Sequence, residues 1–120
     1  MKLKAVKPYK RVDRVNNQIL DILSNILIKN IDLSYLGFVT FTKVDTAPDF
    51  KSAKVYYSIV SPRFSEEHIK KEMQKKKKAF KKFMGPELQI KNTPDLRFYF
   101  DETMKYSEKI DKLLKDSDSI

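Results

Sequence analysis

The apolar residues of this 120-residue chain change their spacing from three-and-four to two and back again, and that change of period limits the fold more than any single motif. From Lys10 to Asn30, Val12, Val15, Ile19, Ile22, Leu23, Ile26 and Leu27 recur at helical steps, which predicts one amphipathic helix. Arg11, Arg14, Asn17, Gln18 and Asp21 fall largely away from that stripe, and "NIDLSYLG" supplies the turn formers that end it. "FVTFTKV" (Phe38 to Val44) and "AKVYYSIV" (Ala53 to Val60) are rich in β-branched and aromatic residues, and the second alternates Ala53, Val55, Tyr57 and Ile59 with Lys54, Tyr56 and Ser58. The Pro48 and Asp49 between them predict an antiparallel hairpin with a longer loop.

Helical spacing returns in "SPRFSEEHIKKEMQKKKKAFKKFMGP". Ser65 is placed to cap the helix, Glu66 and Glu67 sit where its dipole favours acids, and Gly85 with Pro86 stops it. Ile69, Met73, Phe80, Phe83 and Met84 form its apolar stripe, interrupted by Lys76 and Lys77, so two shapes stay open: one straight helix, or a bend or break at Ala79. "LQIKNTPDLRFYFD" predicts a third strand with Leu96, Phe98 and Phe100 on one side and Arg97 and Tyr99 on the other. In "ETMKYSEKIDKLL", Tyr106, Ile110, Leu113 and Leu114 predict a carboxy-terminal helix. Three strands with helices over one face make an α+β two-layer sandwich. We expect a flexible segment at residues 1–9, one domain at 10–114 and a flexible tail at 115–120.

Composition narrows the chemistry. Without cysteine there is no disulfide or thiolate metal site, and one histidine, His68, rules out a multi-histidine metal site, so no cofactor is expected. The acids are scattered or stand at helix starts, and neither of the two glycines belongs to a phosphate-cradling loop. An enzyme is therefore the least favoured class. Ile19 to Ile31, the longest strongly apolar stretch, is broken by Asp21, Asn25, Lys29 and Asn30 and cannot cross a bilayer; the amino end has no signal-like apolar run, so the cytoplasm is expected.

Net charge is +9, and residues 61–85 hold nine Lys/Arg against three Asp/Glu. On a helix, Lys70, Lys71, Lys75, Lys78 and Lys82 share a broad face that Lys77 and Lys81 widen, a pattern suited to a polyanion. Lys71 with Lys75, Lys77 with Lys81, and Lys78 with Lys82 repel at one-turn spacing, each pair costing about 0.2–0.5 kcal/mol. RNA fits better than a membrane, because the apolar side of this helix is needed to cover the sheet. Lys10, Arg11 and Arg14 add cations on the first helix, and Tyr56, Tyr99 and Arg97 are offered for base stacking. The other reading is a basic module that docks on an acidic protein.

"KRVDRVNNQI", "PDFKSAKVYYS" and "TPDLRFYFDETMKYSEKIDKLL" resemble the ribosome-binding factor A family. Asp49, Ala53, Val55 and Tyr56 fit its Asp-x-x-x-Ala-x-Val-Tyr pattern, and Pro94, Leu96, Phe98 and Asp101, then Ile110, Leu113 and Leu114, fit its ending. The resemblance implies a KH-type (type II) domain ordered helix, strand, strand, helix, helix, strand, without a Gly-x-x-Gly clamp. It implies a non-enzymatic factor of the free 30S subunit that assists late 16S rRNA maturation and is tied to cold adaptation; a monomer is expected. Where the family bends its long helix at Ala-x-Gly, this chain has Ala79 and Lys81.

Overall fold

The computed structural model describes the backbone of residues 2–102 and the side chains of residues 11–102. Helix α1 (Lys2–Lys29) is followed by β1 (Phe38–Thr46), β2 (Ser52–Val60), α2 (Glu66–Met84), a short 3-10 turn (Gly85–Glu87) and β3 (Asp95–Phe100). The sheet order is β1-β2-β3, with β1 and β2 antiparallel as expected. β3 runs parallel to β2. A parallel neighbour needs a crossover, and α2 supplies it while covering the sheet. This is a KH-like two-layer sandwich, with both helices on one face. The helix predicted from Tyr106 to Leu114 and the tail at 115–120 lie outside the described residues, and α1 begins at Lys2 rather than near Lys10.

The inward alternation along β1 is not continuous. Val39 and Phe41 are buried, and then Val44 and Thr46, so the apolar pattern slips by one residue between Phe41 and Val44. A bulge between Phe41 and Lys43 absorbs the slip and keeps all four side chains under the helices. Thr42, at the bulge, donates its hydroxyl to Asp101 Oδ2 at 2.6 Å, which ties the hairpin to the end of β3.

α1 buries Val15, Ile19, Leu23 and Ile26, and α2 buries Ile69, Met73, Phe80 and Met84. At the centre, the Phe80 ring meets Phe41 at 5.5 Å and Phe98 at 5.6 Å, both edge-on, while Phe41 and Phe98 stack at 5.7 Å. One α2 side chain thus locks the two outer strands across β2. Such edge-on and offset contacts add to the burial energy of the rings.

α2 is a single helix through Ala79, so the chain does not divide there. Alanine is the strongest helix former, and the buried steps from Met73 to Phe80 to Met84 stay in phase across it. Lys76 and Lys77, which interrupt the apolar stripe in sequence, are half-buried, as expected when long aliphatic stems lie against the core and amines reach outward. Phe83 is the exception to the predicted stripe: it is 41% exposed.

Phe80→Ala should destabilise the fold by about 3–5 kcal/mol, read as a lowered urea midpoint. Gly37 has φ +133, and a Cβ there would lie 2.8 Å from the Ser61 carbonyl oxygen. Gly37→Ala should therefore cost more than about 1 kcal/mol, whereas Gly85→Ala, whose added Cβ meets only Thr93 Oγ1 at 3.3 Å, should cost less by the same measurement.

Candidate nucleic-acid interface

The start of α2 is built by short-range chemistry. Ser65 has extended geometry and accepts a hydrogen bond from the His68 amide at 3.2 Å. Glu66 and Glu67 follow in the first turn and pair with Lys70 at 3.6 Å and Lys71 at 4.0 Å. The His68 ring lies against Phe64, with centroids 4.5 Å apart.

Beyond the first turns the balance changes. Lys75 pairs with Glu72 at 3.0 Å, and Glu72 also accepts from the Tyr35 hydroxyl at 3.0 Å. These two donors hold the Glu72 carboxyl below its ordinary range, the lysine first. Lys81 reaches off the helix to Asp95 at 2.6 Å. Among the described residues no carboxylate lies within ion-pair distance of Lys76, Lys77, Lys78 or Lys82. The uncompensated charge is therefore concentrated in the second half of α2.

The single broad face expected from sequence resolves into two rows. At about 100° per residue, Lys71, Lys75, Lys78 and Lys82 form a line opposite the buried stripe, roughly 16 Å long. Lys70, Gln74, Lys77 and Lys81 form a second line toward β3, where Gln74 donates to the Phe98 carbonyl at 3.3 Å. Lys70 thus belongs with Lys77 and Lys81 rather than with Lys71. Lys77, Lys78 and Lys81 line a groove with Asp95, Leu96 and Arg97.

The α1 cations are less closely joined to these rows. The Arg11 guanidinium sits 5.5 Å from the centre of the Phe50 ring, which is held in the hairpin loop at φ 59. Arg11 shares its groove with Asp49, Lys51 and Lys91, not with the α2 lysines. Arg14 is exposed, and the side chain of Lys10 lies outside the described ones. Near the other end of α1, Lys29 lines a groove with Lys82 and Phe83. Lys29 carried no periodic signal, because only the crossing of the two helices brings it to Lys82.

The sheet face opposite the helices carries further cations. Asp45, Lys54 and Arg97 are paired across the three strands, and Lys43, Tyr56 and Tyr99 form the next such row. The Tyr56 and Tyr99 rings are 5.8 Å apart, and Lys43 Nζ is 5.6 Å from the Tyr56 centroid. Lys43 and Lys54 went unmarked in the sequence, since strand alternation shows which face a residue takes but not its neighbours across strands.

Among the described residues, no group of three or more His, Cys, Asp or Glu could hold a metal ion, and no helix is long and apolar enough to cross a membrane. The hydrogen bond from Lys81, reinforced by its charge, holds the Asp95 carboxyl below its usual 3.8. The pair's contribution is present above the ordinary carboxylate range and is lost as pH falls through the lowered Asp95 value. An NMR titration should find the Asp95 midpoint below 3.8, and Lys81→Met should move it back up.

Comparison with known proteins identifies the chain. The family model for ribosome-binding factor A matches residues 11–114. A Pediococcus pentosaceus protein named ribosome-binding factor A is 37% identical over 105 residues, covering 87% of this chain and 90% of the relative. One of the same name from Geobacter metallireducens is 31% identical over 108 residues, covering 90% and 92%. Among solved structures, a Thermotoga maritima protein described as a ribosome binding factor A superposes with a TM-score of 0.62 at 25% identity, over 74% of this chain and 85% of that one. Ribosome-binding factor A from Thermus thermophilus gives the same TM-score, 0.62, at 16% identity, over 73% and 93%, and bears on the fold alone. With the family model matching residues 11–114 and both named relatives aligned over most of the sequence, the chain belongs to the ribosome-binding factor A family.

Proposed function

We propose that this chain is a cytoplasmic, monomeric, non-enzymatic factor that binds the free 30S subunit and assists late maturation of 16S rRNA, with residues 10–114 as its working domain. The observation that carries the reading is the outward row Lys71, Lys75, Lys78 and Lys82 on a helix whose opposite face is committed to the core. Family membership and the printed names of the relatives support a ribosome as partner. Lysine ammonium groups act as point charges and meet phosphates with little base preference. A rigid row at one-turn spacing then offers several phosphates a contact at once, without the Gly-x-x-Gly clamp that two separated glycines cannot form.

In this mechanism the second, β3-facing row and the α1 arginines extend the basic surface, and docking favours a conformer of the immature rRNA competent for end processing. Each phosphate neutralised releases counterions, so four such contacts should cost about a hundredfold in affinity between roughly 50 and 200 mM salt. In extract sedimentation the protein should comigrate with free 30S particles at low salt and leave them at high salt. Its absence from the 30S fractions, with retention on an acidic protein, would instead favour the reading as a protein-docking module. The combined reversal Lys75→Glu, Lys78→Glu and Lys82→Glu should weaken 30S association by tenfold or more while leaving the urea midpoint nearly unchanged. Undiminished binding would return these lysines to a passive surface.

A further inference from the structure

The open face of the sheet has features that phosphate binding by α2 does not use. Tyr99 lies on the edge strand β3 and is 41% exposed, and Tyr56 beside it is half-buried. Their rings, 5.8 Å apart and tilted by 34°, make a continuous aromatic surface across two strands. The next row along the strands places Lys54 beside Arg97, about 7 Å from the tyrosines. A base over Tyr99 therefore leaves its own phosphate within reach of the Arg97 guanidinium.

This surface is continuous with the basic side of α2. Arg97 belongs at once to the open sheet face and to the groove lined by Lys77, Lys78 and Lys81, so a polyanion on the α2 lysines can pass over the β3 edge onto the sheet. Of the acids near that path, Asp95 is engaged by Lys81 at 2.6 Å, and Asp45 stands across Lys54 from Arg97. Cations therefore outnumber acids along the path, and its aromatic end is unlike anything on the α2 face.

We propose that the open sheet face is a second RNA site that takes an unpaired segment, with bases stacked on Tyr56 and Tyr99 and the backbone held by Lys54, Arg97 and the Lys77–Lys78 groove. A duplex cannot use it, because its bases are already stacked on each other, whereas an unpaired strand can turn them onto the rings. The proposal deepens the rRNA reading and rests on it: α2 supplies charge, and the sheet supplies preference for single strands.

The test measures anisotropy of labelled RNA on the full chain, using an oligouridylate of about ten nucleotides, within the site sizes known for sheet platforms, and a duplex of equal phosphate count. The wild-type chain should prefer the single strand. Tyr56→Leu with Tyr99→Leu should lose about tenfold or more on the oligouridylate and little on the duplex. Tyr99→Phe, which keeps the ring, should retain the preference, and an unchanged urea midpoint confirms the fold of each variant. An equal affinity of the wild type for both RNAs, or an undiminished affinity of the double leucine variant, overturns the proposal. The α2 reading fails separately: it falls if the lysine reversals leave 30S comigration intact, whatever the tyrosine variants do.

Discussion

Phe80 is the contact on which the remaining architecture depends. β1 and β3 are both outer strands and never touch through hydrogen bonds, since β2 lies between them. Phe41 from one and Phe98 from the other meet over β2, and Phe80 closes the cluster from the helix side. That contact sets the rotation of α2 about its own axis. Once Ile69, Met73, Phe80 and Met84 face the sheet, the line of Lys71, Lys75, Lys78 and Lys82 has no choice but to face away.

The lysine run works against helix formation by itself, because one-turn neighbours of like charge repel. The chain offsets this in two ways. Glu66, Glu67 and Glu72 neutralise the first half of the run, and burial of the apolar stripe holds the second half in helix, where Lys81 alone has an acid partner, Asp95, among the described residues. Stability comes from one face of α2 and available charge from the other. A helix with the same charge but no sheet to cover would have little reason to stay folded.

Several features were legible because they are local. The helix stripes, the strand alternation around Tyr57, the Ser65 cap and the lysine excess depend only on neighbours a few positions away. Of the two shapes left open at Ala79, α2 takes the unbroken one: the polar interruption at Lys76 and Lys77 does not end the helix, and both residues are half-buried. The bulge at Thr42 was written as a slip in the apolar pattern of "FVTFTKVDT", and it was missed because the predicted strand stopped at Val44, before Thr46 completed the shifted phase.

The sequence by itself determined which described segments are helix and which are strand, the inner and outer faces of β2 and β3, most of the buried stripe of each helix, and the placement of positive charge in α2, since period and composition are properties of short segments. Tertiary structure alone decided that β3 runs parallel to β2, that Lys81 is held by Asp95 while Lys78 and Lys82 are left open, and that Arg97 bridges the α2 groove to the tyrosines. Those outcomes depend on which residues meet across tens of positions. Packing around Phe80 settles them, and no local pattern encodes it.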